Sequence, residues 1–308
     1  MALTLVEASK RHSGDIFREG VIETIGLSGS VLDYIPFMDI AGGAYNYKQE
    51  NKLPSSGYRG VNQDHQESTG QVKPLVETLK IFGGTVKVDR AILAMNGEDQ
   101  RLIELQMRLK SMALAFNRHF FKGDSDTDVN AVDGLQKRLI GEQLIDAGAT
   151  AGGDALSLAK LDEVIDQVNN PTHIFMNKTM KRLLNASTYN TGVSGYMTHT
   201  VDDYGRQIDM YNGLPIVIVD EDETGAQVLA FDEAAASGTA QCTSIYVASI
   251  GDGALMGIQN GDPIVEDLGL MDNGIHYGTL VEWYHSYVLL GKKSAARLRF
   301  IKNAAVTA

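Results

Sequence analysis

Between Asn51 and Gly70 the chain reads NKLPSSGYRGVNQDHQESTG, twenty residues with only two aliphatic side chains, Leu53 and Val61. Runs this polar are usual at chain ends and in linkers, yet this one lies inside a chain of ordinary globular composition. On its N-terminal side AYNYKQEN alternates in the two-residue period of a strand. On its C-terminal side VKPLVETLKIFGGTVKVDRAIL alternates again, at Val76, Leu79 and Ile81 and then at Val86 and Val88. Two strand-like arms around a polar tip predict one long β-hairpin over residues 45–90. An arm of about 18 residues at ~3.3 Å each reaches on the order of 60 Å. The radius expected for a globule of this length is roughly 19 Å. Such a hairpin cannot fold back wholly onto its own domain, so its tip is expected to lie on a neighbour.

Downstream of the hairpin comes the clearest helix. Leu102, Leu105, Leu109, Met112, Phe116 and Phe120 recur at three- and four-residue steps, which predicts a one-sided amphipathic helix over Asp99 to Lys122. Lys122 and Gly123 close it. A second helix is expected in DALSLAKLDEVIDQVNN, with Asp154 as its cap and Pro171 as its stop. HIFMN then reads as a short buried strand and KTMKRLLNAS as a helix. Residues 192–213 read as loop. LPIVIVD, VLAFD, SIYVASI and ALMGIQN read as strands, and the C-terminal segment as two strands joined by GKKS. Upstream, VEASKRH and IFREGVIETIG form amphipathic fragments too short to be stable alone. The fold class is α+β.

The totals exclude several functions. The chain has 308 residues, 44% hydrophobic and 21% charged, with a formal net charge of −12. A protein that grips phosphates normally carries a basic surplus, so the balance argues against a nucleic-acid binder, though not against a wall around nucleic acid. Cys242 is the only cysteine, which removes any internal disulfide and any Cys-based metal site. With no signal-peptide core and no apolar run of membrane-spanning length, the chain is read as soluble, intracellular and not membrane-bound.

No catalytic constellation is present. The phosphate, dinucleotide, zinc-protease and serine-hydrolase motifs are missing, and the seven histidines are scattered with no helical i, i+4 pair. DSDTDVN, starting at Asp124, imitates the start of a calcium loop. Val129 and Leu135 stand where that loop needs its glycine and its glutamate, so a solvated turn is the better reading. Asp220, Glu221, Asp222 and Glu223 read as a soluble turn. No catalytic, cofactor-binding or metal-ligating residue is assigned, no cofactor is expected, and the chain is read as a building block, not an enzyme.

The order of these segments resembles the major capsid protein of tailed bacteriophages, the Hong Kong ninety-seven type shell fold. An N-terminal arm (1–44), a long E-loop hairpin (45–90), and a spine helix with the first part of a peripheral domain (91–170) follow one another. An axial domain (171–250) and return strands (251–308) complete the chain. DGLQKRL after the long helix, NGLPIVIVD at Asn212 to Asp220 and the ending EWYHSYVLLGKKSAARLRFIKNA are similar to segments common in that family.

The resemblance implies self-assembly into hexamers and pentamers of an icosahedral shell enclosing double-stranded DNA without specific binding. Its location would be the virion capsid, assembled in the host bacterial cytoplasm. The implied partners are copies of itself, a separate scaffolding protein, a portal protein and a decoration protein. Candidate inter-subunit contacts are Lys52, Tyr58, Arg59 and Asp64, and candidate hinges at the hairpin's base are Gly42, Gly43, Gly83 and Gly84. Lys48 and Lys52 are the conceivable lysines for a covalent cross-link, with no partner assignable. An encapsulin nanocompartment shell and an α+β enzyme without a recognisable motif are the alternatives.

Overall fold

Strand β14, His276–Leu289, is fourteen residues long and organises half of the molecule. The computed structural model describes residues 31–96, 99–188, 197–201, 207–219, 221–235, 238, 240–272 and 274–307. The N-terminal fragments read as an arm, up to residue 30, and Asp220 lie outside them.

One edge of β14 is covered by β4 (Lys80–Asp89), antiparallel from His276↔Asp89 to His285↔Lys80. Its other edge is shared by β12 (Leu255–Gln259) and β13 (Ile264–Leu270). Strand β1 (Phe37–Asp39) adds in parallel to β12, which completes a five-stranded sheet. Across this sheet lies the long helix, here α2 (Asp99–Lys122), preceded by α1 (Arg90–Asn96). Leu105, Leu109, Met112, Phe116 and Phe120 of the expected stripe are all buried. They meet Phe37, Val281, Trp283 and Tyr287, and the large buried aromatics make this the heavier core. Leu102 departs from the expectation: it is 48% exposed, and the neighbouring Arg101 makes the contact with the sheet through Asp267 and Thr279.

An eight-stranded sheet forms the other half, in the order β5 (Leu144–Asp146), β15 (Ala295–Lys302), β11 (Ala240–Ala248), β6 (His173–Met176), β9 (Leu214–Ile218), β8 (Gln207–Tyr211), β7 (Met197–Val201). Strand β10 (Glu233–Ala234) pairs with β11 off that path. Helices α4 (Leu158–Gln167) and α5 (Lys178–Thr188) contribute Leu161, Val164, Ile165, Met180 and Leu184 to its core. A one-turn helix, α3 (Leu135–Arg138), follows the long helix.

Several expectations need correction. The second hairpin arm does not run on to residue 88. Strand β2 (Ala44–Lys52) pairs with β3 (Gln71–Thr78) only, and after Leu79 the chain enters the five-stranded sheet as β4, where Val88 is buried. The hairpin arms are therefore nine and eight residues long, about half the length first read. Ser157, not Asp154, stands at the N-cap of α4; Asp154 accepts from the Thr150 amide instead. Residues 197–211 contain the β7–β8 hairpin where a loop was expected. VLAFD is not a strand: Val228 and Leu229 are buried in a turn segment.

Candidate assembly surfaces

The β2–β3 hairpin is anchored at its base by alternation. Tyr47 is buried, and Tyr45 and Leu75 are partly so; they pack on Met256, Ile258 and Val288 of the five-stranded sheet. The opposite face of β3 leaves Val72 and Val76 exposed. A second anchor is electrostatic. Glu77 receives both guanidinium nitrogens of Arg138, at 2.7 and 2.9 Å. Arg138 also donates through Nε to the Asp133 carbonyl at 2.7 Å and lies 4.8 Å from the Tyr287 ring centre. Tyr287 donates its hydroxyl to the same Asp133 carbonyl, so one backbone oxygen orients both side chains. Both members of the pair are largely buried, where removing one partner strands the other charge. Burial and the Glu77 charge push the Tyr47 hydroxyl above its ordinary value.

Beyond this base, residues 51–74 are exposed throughout. Asn51 at the start of this stretch accepts from Lys292 of the body, but the hydrogen bonds of the tip itself, residues 53–70, stay within it: Ser55 amide to Ser68, Arg59 to the Gln63 carbonyl, Gly60 amide to Gln63. Of the contact candidates, Lys52 ends β2, and Tyr58, Arg59 and Asp64 lie in the tip; all four face solvent. Leu53, Tyr58 and Val61 are apolar surface with no cover. A second uncovered stripe runs along the outer side of α1 and α2, with Ile92, Met95, Leu102, Ile103 and Met107 all at least 40% exposed.

The four glycines divide. Gly42 has a φ of +106°, and a Cβ at Gly42 or Gly43 would meet nothing within 4 Å. Both sit at the hairpin's base, where the Leu79 amide donates to the Gly43 carbonyl. Gly83 and Gly84 do not sit at that base. They lie in the middle of β4, where a Cβ on Gly83 would come 2.1 Å from the Val281 carbonyl oxygen and one on Gly84 would overlap the Arg108 guanidinium. Close approach of the β14 backbone, not bending, requires glycine at position 83, and at 84 the space is taken by the Arg108 side chain.

The aspartate run after α2 closes on a lysine. Lys137 Nζ lies 2.6, 2.8 and 3.1 Å from Asp124, Asp126 and Asp133. Its hydrogen bond holds the Asp124 carboxyl down at about 2. The ammonium occupies the centre of the turn, and among the described residues no three His, Cys, Asp or Glu side chains are placed to hold a metal ion. Asp222 caps its own turn through the Thr224 and Ala226 amides, and Glu223 pairs with Arg118 at 2.7 Å.

Where β4, α2 and β14 meet, His285 is fully enclosed by Phe82, Phe116, Trp283 and His119. Neither of its ring nitrogens has a partner. Burial, followed by the neighbouring His119, pushes it down to about 3. Neither His285 nor the Arg138–Glu77 pair was assigned a role from sequence. Glu77 and Arg138 lie 61 residues apart, and only the DGLQKRL motif pointed near them.

Residues 13–159 match the sequence model of a family described as major capsid protein GP7. In solved structures, the SrpI encapsulin of Synechococcus elongatus superposes with a TM-score of 0.64 at 15% identity, over 90% of this chain and 89% of that one. A structure from Mycobacterium phage Adephagia gives 0.61 at 10% identity, over 90% of each chain. The capsid of a native GTA particle gives 0.59 at 15% identity, over 89% of this chain and 90% of that one. This is the shell fold of tailed-bacteriophage major capsid proteins. No curated protein matches the sequence. The β2–β3 hairpin and α2 are the elements that the sequence reading expects as the E-loop and the spine helix of that fold. No helix among the described residues is long and apolar enough to cross a membrane.

Proposed function

We propose that this chain is a structural major capsid protein, self-assembling into hexamers and pentamers of an icosahedral shell around double-stranded DNA. One observation carries the reading: the E-loop is fixed to its own body at the base, while its tip exposes Leu53, Tyr58 and Val61 and bonds only to itself. The uncovered stripe on the spine helix, centred on Ile103 and Met107, supplies a complementary surface on a sister copy. Single exposed ion pairs, such as Lys52 or Arg59 would add there, contribute about 0.5 kcal/mol. Repeated around a closed shell they sum, and their individual weakness lets misplaced subunits dissociate. Lys52, Tyr58, Arg59 and Asp64 are the proposed contact residues, and Gly42 with Gly43 the proposed hinge.

In this reading the chain divides into an N-arm (1–44), the E-loop, the spine helix with the peripheral domain, the axial domain and the return strands. Separate scaffolding and portal proteins, and a decoration protein, are its proposed partners, and the virion capsid its place after assembly in the host cytoplasm. The net charge of −12 supports a wall that leaves packaged DNA mobile. The encapsulin likeness supports a second reading, a shell around protein cargo. Sedimentation of the purified chain tests both. Closed particles containing nucleic acid when recovered from infected cells support the capsid; particles filled with protein support the compartment; a small fixed oligomer both alone and in those cells refutes both.

A further inference from the structure

Two adjoining clefts, of about 510 and 650 Å³, run between the E-loop and the body. They share Gln49, Asn51, Gly291, Lys292 and Lys293 in their walls. Lys48 and Lys52 enter from β2, Lys73 from β3, and Lys292 and Lys293 from the β14–β15 turn. Glu50, Glu142 and Asp252 are the carboxylates that face them, since Glu77 is committed to Arg138. Among the described residues none of these five lysines has a carboxylate within 4.0 Å, and Lys292 makes its bond to the neutral Asn51 side chain. By contrast Lys122, Lys137, Lys160 and Lys181 are all ion-paired. A chain of net charge −12 thus gathers a local positive surplus along one cleft, over an apolar floor of Tyr47, Leu75 and Leu289.

We infer that this cleft receives the acidic edge strand β13 of a neighbouring copy. Strand β13 ends its sheet, and its outer edge is unpaired among the described residues. It exposes the apolar side chains Ile264, Leu268 and Leu270 beside the carboxylate of Glu266, and Asp272 follows; Asp267 is ion-paired with Arg101 of its own chain. Apolar side chains meet the floor and carboxylates meet the lysine rim. Copies carrying −12 each repel on approach, so an interface that pairs their few cationic surfaces offsets that repulsion and fixes which faces meet. The E-loop forms one wall of the cleft, so the contact is continuous with the tip contact of the proposed function. The inference rests on that reading and deepens it.

The test is a charge swap in the full-length chain, read as particle yield by sedimentation, with thermal midpoint and tryptophan emission as folding controls. Lys292→Glu with Lys293→Glu should lower the yield at least tenfold while the subunit stays folded. Glu266→Lys with Asp272→Lys should do the same, and combining all four substitutions should restore assembly. Added salt should weaken wild-type assembly more than that of a Lys292→Gln, Lys293→Gln chain. Unchanged assembly of the first variant, or no recovery in the swap, overturns the inference while leaving the shell reading intact. A wild-type chain that forms no particles even in infected cells, where the proposed scaffolding protein is present, refutes the shell reading, and this contact with it. Retardation of duplex DNA by wild type but not by the lysine variant would make the cleft a nucleic-acid site and also overturn the inference.

Discussion

His285→Phe should make the subunit markedly less sensitive to acid. The wild-type ring is neutral in the fold, held down at about 3, while the unfolded chain takes up the proton at the ordinary value near 6.5. A lowered folded value means that the stability is fully present above 6.5. It drains away as pH falls from there toward 3, because the unfolded state binds a proton that the folded state refuses. Linkage puts the loss between pH 7 and pH 5 at about 2 kcal/mol for this one group. Phenylalanine has a similar shape and nothing to protonate, and the cage of Phe82, Phe116 and Trp283 suits it. Urea unfolding of the unassembled subunit at the two pH values measures the difference. Trp283 is the only tryptophan, buried with its ring centre 4.2 Å from that of His285, so its emission reports the site directly. His173, lowered to about 4 by burial, loses stability in the same direction and remains in the variant, so the acid slope falls but does not vanish. An equal loss in wild type and variant would refute the assignment of the neutral, enclosed ring.

Glu77→Gln leaves the buried Arg138 guanidinium without its counter-charge and should cost about 3 kcal/mol. Hydrogen exchange should then quicken in the β2–β3 pairing while the α2 core stays protected. Gly83→Ala drives a methyl group into the Val281 carbonyl and should destabilise by about 2 kcal/mol in the same unfolding assay. Deleting Ser55 to Gln66 removes only exposed residues, so the thermal midpoint should hold while particle formation is lost. Loss of the fold would show that the tip packs at home.

The parts legible in the sequence are those whose burial is one-sided and local. Leu105 through Phe120 recur at helical steps because one face meets the sheet, so α2 could be read with its ends. HIFMN and LPIVIVD are continuous apolar runs because both faces are covered. The E-loop's polar tip was legible as an excursion, but its arms were read too long. Val86 and Val88 alternate just as Tyr45 and Tyr47 do, and alternation does not say which partner a strand takes; β4 pairs across almost two hundred residues with β14. Strands β7 and β13 were missed because edge strands expose most of their side chains and carry no strong apolar period. The Arg138–Glu77 pair and the His285 cage exist only through contacts between distant segments, and no local pattern encodes them.

The central claim is that the E-loop tip finds its partner in a sister copy. Electron cryomicroscopy of assembled particles tests it most directly. The shell reading predicts tip density, with Tyr58 at its centre, lying across the Ile103–Met107 stripe of an adjacent copy's spine helix. Ordered single subunits with that tip folded onto their own body would contradict it.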